Sequence, residues 1–179
     1  VNGGEFVAID ENNIDGVIFS KTDLTLNGSG SLSIASPAGH GVVSKDDLVI
    51  TGGTYQVEAL NHGLEGKDGL RSENTEDASL GSVYIQNGEF QIDAQGDAVS
   101  ASGAKGLKAD GTIFIQGGTF STDTADDSIH AGGDISITAG TFQLQSGDDA
   151  IHSDSNLLIQ DGDFTIPYCY EGLEGLSIT

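Results

Sequence analysis

The sequence predicts an all-β fold, a parallel β-helix, and three observations carry that prediction. The segment I-F-I-Q-G-G-T-F-S-T-D-T-A-D-D-S-I-H-A from Ile113 returns as I-S-I-T-A-G-T-F-Q-L-Q-S-G-D-D-A-I-H-S from Ile135, and a looser copy starts at Leu157, each offset being 22 residues. Within a copy the apolar residues alternate with period two and never with 3.6, which is the spacing of strands. Glycines with acidic or amide residues separate the apolar runs, as corners require. A unit this short cannot bury its apolar side alone and must stack on its neighbours.

Each copy reads as three short strands. In the best-defined copy the first is Ile113 to Ile115, the second runs through Phe120 and Thr122, and the third holds Ile129 and Ala131. The apolar triplet of the first strand recurs as Leu48/Ile50, Val83/Ile85, Ile135/Ile137 and Leu157/Ile159, and less regularly as Leu24/Leu26 and Leu32/Ile34. The aromatic of the second recurs as Tyr55, Phe90, Phe120, Phe142 and Phe164, predicting a ring ladder inside the coil with Val57, Ile92, Leu144 and Ile166 beside it. Small residues (Ser44, Gly66, Ala101, Ala131, Ser153, Gly175) suit a tight corner. Between the first three aromatics the spacing widens to 35 and 30 residues, so two coils carry insertions, placed at 67–80 and 102–110. Residues 1–179 are read as one domain with an irregular first coil over 1–23, and Leu176/Ile178 as the next coil's first strand.

Composition fits this reading. There are 27 glycines for the corners and no Met or Trp, leaving Ile, Leu, Val and Phe to build the core. No apolar run reaches the ~18 residues of a membrane span. The single Cys169 excludes an internal disulfide. The chain opens at Val1 with no signal peptide in view, which reads as a mature or trimmed fragment. Net charge is −22, from 28 carboxylates against six Lys and Arg, so nucleic acid and anionic membranes are poor partners. Solubility or adaptation to salt accounts for the scattered acids.

The clustered acids form columns. Stacking the copies places His40, His62, Asp97, Asp127, Asp149 and Glu171 at the corner before the third strand, with Asp126 and Asp148 alongside. Coils lie about 4.8 Å apart, so equivalent carboxylates repel by roughly 1 kcal/mol in water and more when buried. Ca²⁺ takes six to eight oxygens at about 2.3–2.6 Å, a spacing compatible with carboxylates from adjacent coils. Asp97, Asp126, Asp127, Asp148, Asp149 and Glu171, with Asp110, are therefore candidate Ca²⁺ ligands; a solvated acidic corner is the alternative.

A second outward column holds Val43, Glu65, Ser100, His130, His152 and Glu174. Imidazoles beside carboxylates suit acid/base chemistry or ligand binding, although repeated sequence also repeats its surface residues without function. Duplicate His-Asp pairs look more like a binding strip than one catalytic centre. A third column holds Val49, Tyr84, Phe114, Ser136 and Leu158. Tyr84 and Phe114 offer rings one coil apart on which sugar rings stack, unless the insertions cover them. Arg71 and Lys108 are the further carbohydrate-binding candidates, as cations in the two insertions.

Three Gly-rich steps carry a family resemblance: Gly41-Val42-Val43-Ser44-Lys45-Asp46-Asp47-Leu48, Gly63-Leu64-Glu65-Gly66-Lys67-Asp68-Gly69 and Gly106-Leu107-Lys108-Ala109-Asp110-Gly111. Over roughly 15–179 the chain resembles the bacterial carbohydrate-binding β-helix family described as binding cellulose and acidic sugars, once catalogued as a domain of unknown function. The resemblance implies a right-handed helix like that of pectate lyases, bound calcium, an extracellular or cell-surface location, and binding of cellulose and polygalacturonate without established catalysis. It supplies no ligand-by-ligand assignment of the calcium.

A pectate-lyase-like enzyme remains the catalytic alternative. It needs a cation to acidify the proton α to the uronate carboxylate and an Arg or Lys to remove it. Arg71 is the only arginine, with Lys67, Lys105 and Lys108 as other bases. A hydrolase using paired Asp residues is disfavoured because every copy carries them. The expected function is non-catalytic, calcium-dependent polysaccharide binding. The third alternative is a structural or adhesive fibre subunit, because unpaired strand edges at a coil end invite end-to-end self-association.

Overall fold

A computed structural model describes residues 1–4, 14–67, 81–96 and 103–179. Among them are twenty strands and no helix, arranged in three sheets whose every paired neighbour is parallel. Together the sheets form a right-handed parallel β-helix.

The first-strand sheet contains β2 (Leu24–Leu26), β5 (Leu48–Ile50), β8 (Val83–Ile85), β11 (Ile113–Ile115), β14 (Ile135–Ile137), β17 (Asn156–Ile159) and β20 (Ser177–Ile178). The second-strand sheet contains the six-residue strands β3 (Ser31–Ser36), β6 (Thr54–Ala59), β9 (Glu89–Ala94), β12 (Thr119–Thr124), β15 (Thr141–Ser146) and β18 (Asp163–Tyr168). The third-strand sheet contains β1 (Gly16–Ser20), β4 (His40–Ser44), β7 (Leu64–Gly66), β10 (Leu107–Ala109), β13 (Ile129–Ala131), β16 (Ile151–Ser153) and β19 (Leu173–Glu174).

Alternation decides which side chains enter the core. In β12 and β15 every second residue is buried and the others are exposed. The aromatic ladder runs up this interior. Tyr55, Phe90, Phe120, Phe142 and Phe164 stack with ring centroids 5.1, 4.8, 4.8 and 4.6 Å apart and planes within 8° of parallel. Each aromatic needs the glycine two residues before it. Gly140 has φ +142°, and a Cβ there would stand 2.7 Å from the Phe142 ring. Thr122 replaces the aliphatic partner in its coil, and its buried hydroxyl donates to Ser128 Oγ at 2.8 Å.

The register locates the second insertion differently from the sequence reading. Leu107–Ala109 pairs with both Leu64–Gly66 and Ile129–Ala131, so this segment is a regular third strand and the extra residues fall between Ala94 and Leu107, not through Asp110. Lys105 therefore takes the corner position expected for Asp97, Lys108 takes the outward position expected for Ser100, and Ala109 takes the small-residue position expected for Ala101. Asp97 and Arg71 lie outside the described residues, as does most of the 67–80 insertion.

Candidate functional site

The corner before the third strand presents His40, His62, Lys105, Asp127, Asp149 and Glu171 in successive coils. Four of these side chains share one task, accepting a hydrogen bond from the backbone N–H of the equivalent residue in the next coil. His40 Nδ1 accepts from His62 N at 3.2 Å, His62 Nδ1 from Lys105 N at 3.1 Å, Asp127 Oδ1 from Asp149 N at 3.1 Å, and Asp149 Oδ1 from Glu171 N at 3.2 Å. Each carboxylate keeps a second oxygen for other partners.

Lys105 changes the charge balance of the column. Its ammonium lies 2.9 Å from Asp126 Oδ2 and 2.5 Å from Asp127 Oδ2. Burial alone raises the Asp127 pKa, but hydrogen bonds from His130 (Nδ1 to Oδ2, 2.7 Å) and Lys105 outweigh it and pull this carboxyl well below the usual range. One coil further the balance reverses. Asp148 is pushed up by burial and by the charges of Asp149, Asp127 and Asp126, and Glu171 by burial and Asp149. Glu174 is also raised, first through a hydrogen bond with Asp149. Negative charge is thus offset at Asp126 and Asp127 and accumulates from Asp148 to Glu174. The oxygens of Asp126, Asp127 and Asp148 lie within 4.8 Å of one another.

The adjacent outward column is Val43, Glu65, Lys108, His130, His152 and Glu174. His130 and His152 are neighbours, with ring centroids 4.6 Å apart. Lys108 bridges Glu65 Oε1 at 3.0 Å and Asp110 Oδ1. Burial would lower the lysine's pKa, but Glu65 and Asp110 reverse the shift and raise it. Asp110 therefore stands with Lys108, while Asp126, Asp127 and Asp148 form their own group. At the N-terminal end His40, His62 and Glu65 converge. Burial, helped by His40 and the lysines, holds His62 down to about 2, so its ring is neutral.

Tyr84 and Phe114 occupy another face. They are directly paired across β8 and β11, half-buried, with Val49 and Ser136 on either side. The candidate sugar-binding residues thus divide between two sheets, Tyr84 and Phe114 on the first-strand sheet and Lys108, His130 and His152 on the third-strand sheet.

Two features escaped the sequence reading. The outward side of the second-strand sheet is an exposed polar face with a central column of Ser33, Gln56, Gln91, Ser121, Gln143 and Thr165. The signal lies in the polar half of the alternation, T-x-Q-x-E at Thr54 and T-x-Q-x-Q at Thr141. The oxygens of Asp23, Asp46 and Asp47 also come within 4.8 Å of one another, although Asp23 Oδ1 accepts from Asp47 N and Asp47 Oδ1 from Ser82 N, a corner-capping role.

Outward columns that repeat through successive coils have the form of an extended surface. A family of carbohydrate-binding domain-containing proteins matches residues 2–172. The chain belongs to that family. No curated protein and no solved structure matches it. Carbohydrate binding is accordingly the activity that the family supports for this chain.

Proposed function

We propose that the protein binds polysaccharide without cleaving it, outside the bacterial cell, and that Ca²⁺ bridges it to acidic chains such as polygalacturonate. The observation that carries the calcium reading is the convergence of Asp126, Asp127 and Asp148, an all-oxygen donor set of the kind a hard cation takes. These residues would hold the ion, with Asp149 and Glu171 beside them, and the ion would supply the positive charge that a strongly acidic protein otherwise lacks toward a uronate. The raised pKa values of Asp148 and Glu171 support the reading: desolvation is the first cause and the charge of neighbouring carboxylates the second, and a bound cation would offset both. Lys105 already neutralises part of the set and competes with the ion.

For neutral chains such as cellulose, the paired rings of Tyr84 and Phe114 serve as the stacking surface. The lysines support a non-catalytic reading. A lyase base must be deprotonated, yet Lys105 and Lys108 are each held between two carboxylates, and Lys108 is shifted further from deprotonation. The extracellular placement belongs to the same proposal, since cellulose and polygalacturonate are met outside the cell.

The test is retention on polygalacturonate and on cellulose with calcium or with chelator. Retention on polygalacturonate is lost in chelator and in Asp126→Asn/Asp148→Asn, while retention on cellulose persists and is lost in Tyr84→Ala/Phe114→Ala. Chelator-resistant binding to polygalacturonate refutes the calcium bridge.

A further inference from the structure

His152 sits among four carboxylates, none of them at the short distance of a charge-assisted hydrogen bond. Its Nδ1 is 3.5 Å from Asp149 Oδ2 and 3.6 Å from Asp127 Oδ2, and its Nε2 is 3.2 Å from Asp154 Oδ1 and 3.5 Å from Glu174 Oε2. Charge-assisted N–H to carboxylate bonds close to about 2.7–2.9 Å. Two ligands of a tetrahedral ion with bonds of about 2.0–2.2 Å stand about 3.3–3.6 Å apart, which matches the spacing on the Nε2 side. The neighbouring ring is close by, with His130 Nε2 3.8 Å from the same Asp154 oxygen, a few tenths of an ångström beyond that spacing.

The inner side of the pair fixes the rings. His130 Nδ1 meets the buried Asp127 carboxylate at 2.7 Å, so that nitrogen donates and Nε2 is the nitrogen left facing outward. For His152 the buried Asp149 takes the corresponding place. A carboxylate thus stands behind each imidazole, hydrogen-bonded to Nδ1 of His130 and 3.5 Å from Nδ1 of His152, and a carboxylate so placed, leaving Nε2 to bind, is the outer-shell arrangement of histidine-ligated metal centres. The outer oxygens belong to half-exposed side chains, at 53 % for Asp154 and 48 % for Glu174, which can adjust by rotation.

We infer that His130 Nε2, His152 Nε2, Asp154 and Glu174 form a site for a divalent transition cation of the zinc class, joining three successive coils. Imidazole selects such ions, whereas calcium takes oxygen donors. Its donor atoms are therefore distinct from the all-oxygen group at Asp126, Asp127 and Asp148, and the two share only Asp127, which stands behind the His130 ring.

The experiment uses tag-free, chelator-treated full-length protein titrated with CoCl2 while the visible d–d bands are recorded, and with ZnCl2 by calorimetry. The expected result is one ion per chain with the intense bands of tetrahedral cobalt, bleached by zinc and unchanged by a hundredfold excess of CaCl2. Asp154→Asn, a change to an exposed side chain that leaves the circular dichroism intact, weakens zinc binding at least tenfold. His152→Gln abolishes the cobalt bands, and Asp126→Asn leaves them as in the wild type. Absence of cobalt uptake, uptake insensitive to Asp154→Asn and His152→Gln, or displacement by calcium overturns the assignment.

Discussion

Acidification from pH 7 to pH 5 is expected to destabilise this protein through His62, and the size of the effect follows from its surroundings. In the unfolded chain the imidazole titrates at its ordinary value of 6.5, whereas in the fold burial and nearby positive charge hold it down to about 2. A folded pKa below the unfolded one contributes stability above 6.5 that is lost as pH falls toward the folded value, because the unfolded chain takes up a proton that the fold refuses. Between pH 7 and 5 the loss is about 2 kcal/mol, which corresponds to about 4–8 °C in Tm for a chain of this length. The perturbation that isolates it is His62→Asn. At the equivalent corner Asp127 and Asp149 use Oδ1 to accept the next coil's N–H at 3.1 and 3.2 Å, so an asparagine amide oxygen can accept Lys105 N in place of Nδ1. Thermal melts of both proteins at pH 7 and pH 5 give the comparison, and other titrating groups cancel between them. The wild type is expected to lose about 4–8 °C more than the variant on acidification. Equal losses would show that His62 is protonated in the fold and would refute the account of its burial.

Other outcomes follow from the core and the corner. Phe120 lies between Phe90 and Phe142 at 4.8 Å each and is fully buried, so Phe120→Ala is expected to cost about 3–5 kcal/mol in urea denaturation; a cost below about 1 kcal/mol would place the ladder outside the core. Lys105→Met leaves the buried Asp127 carboxylate without its lysine and is expected to cost about 3–5 kcal/mol. Adding Asp127→Asn is expected to recover most of that loss, and strict additivity of the two changes would contradict the pairing.

The fold was legible because the interior repeats. Apolar positions one residue apart, the aromatic, and the glycine before it serve the same packing in every coil, so Val83/Ile85 and Ile113/Ile115 align by inspection and pair as expected. The site columns were legible where the period is uninterrupted, from Asp127 to Asp149 to Glu171 and from His130 to His152 to Glu174. They failed across the second insertion for a definite reason. Both Ala98-Val99-Ser100-Ala101 and Gly106-Leu107-Lys108-Ala109 satisfy the third-strand pattern. Counting from Phe90 favours the first, whereas backbone pairing joins Leu107 to Leu64 and Ile129. The consequence is chemical, since a lysine replaces an aspartate in the corner column and neutralises its neighbours. Nor does composition show that the two histidines share flanking carboxylates; Asp154 comes after the strand and meets their Nε2 atoms only once the coils are stacked.

The proposed activity is retention of polysaccharide, without cleavage, by a repeated surface. The most direct measurement incubates the protein in calcium with insoluble cellulose and with polygalacturonate, and follows in the same samples the fraction of protein retained and the length and unsaturation of the chains. The predicted result is saturable retention with polymer length unchanged and no unsaturated product. Shortened or unsaturated chains would make the protein an enzyme, and failure to be retained on either polymer would contradict the proposed binding.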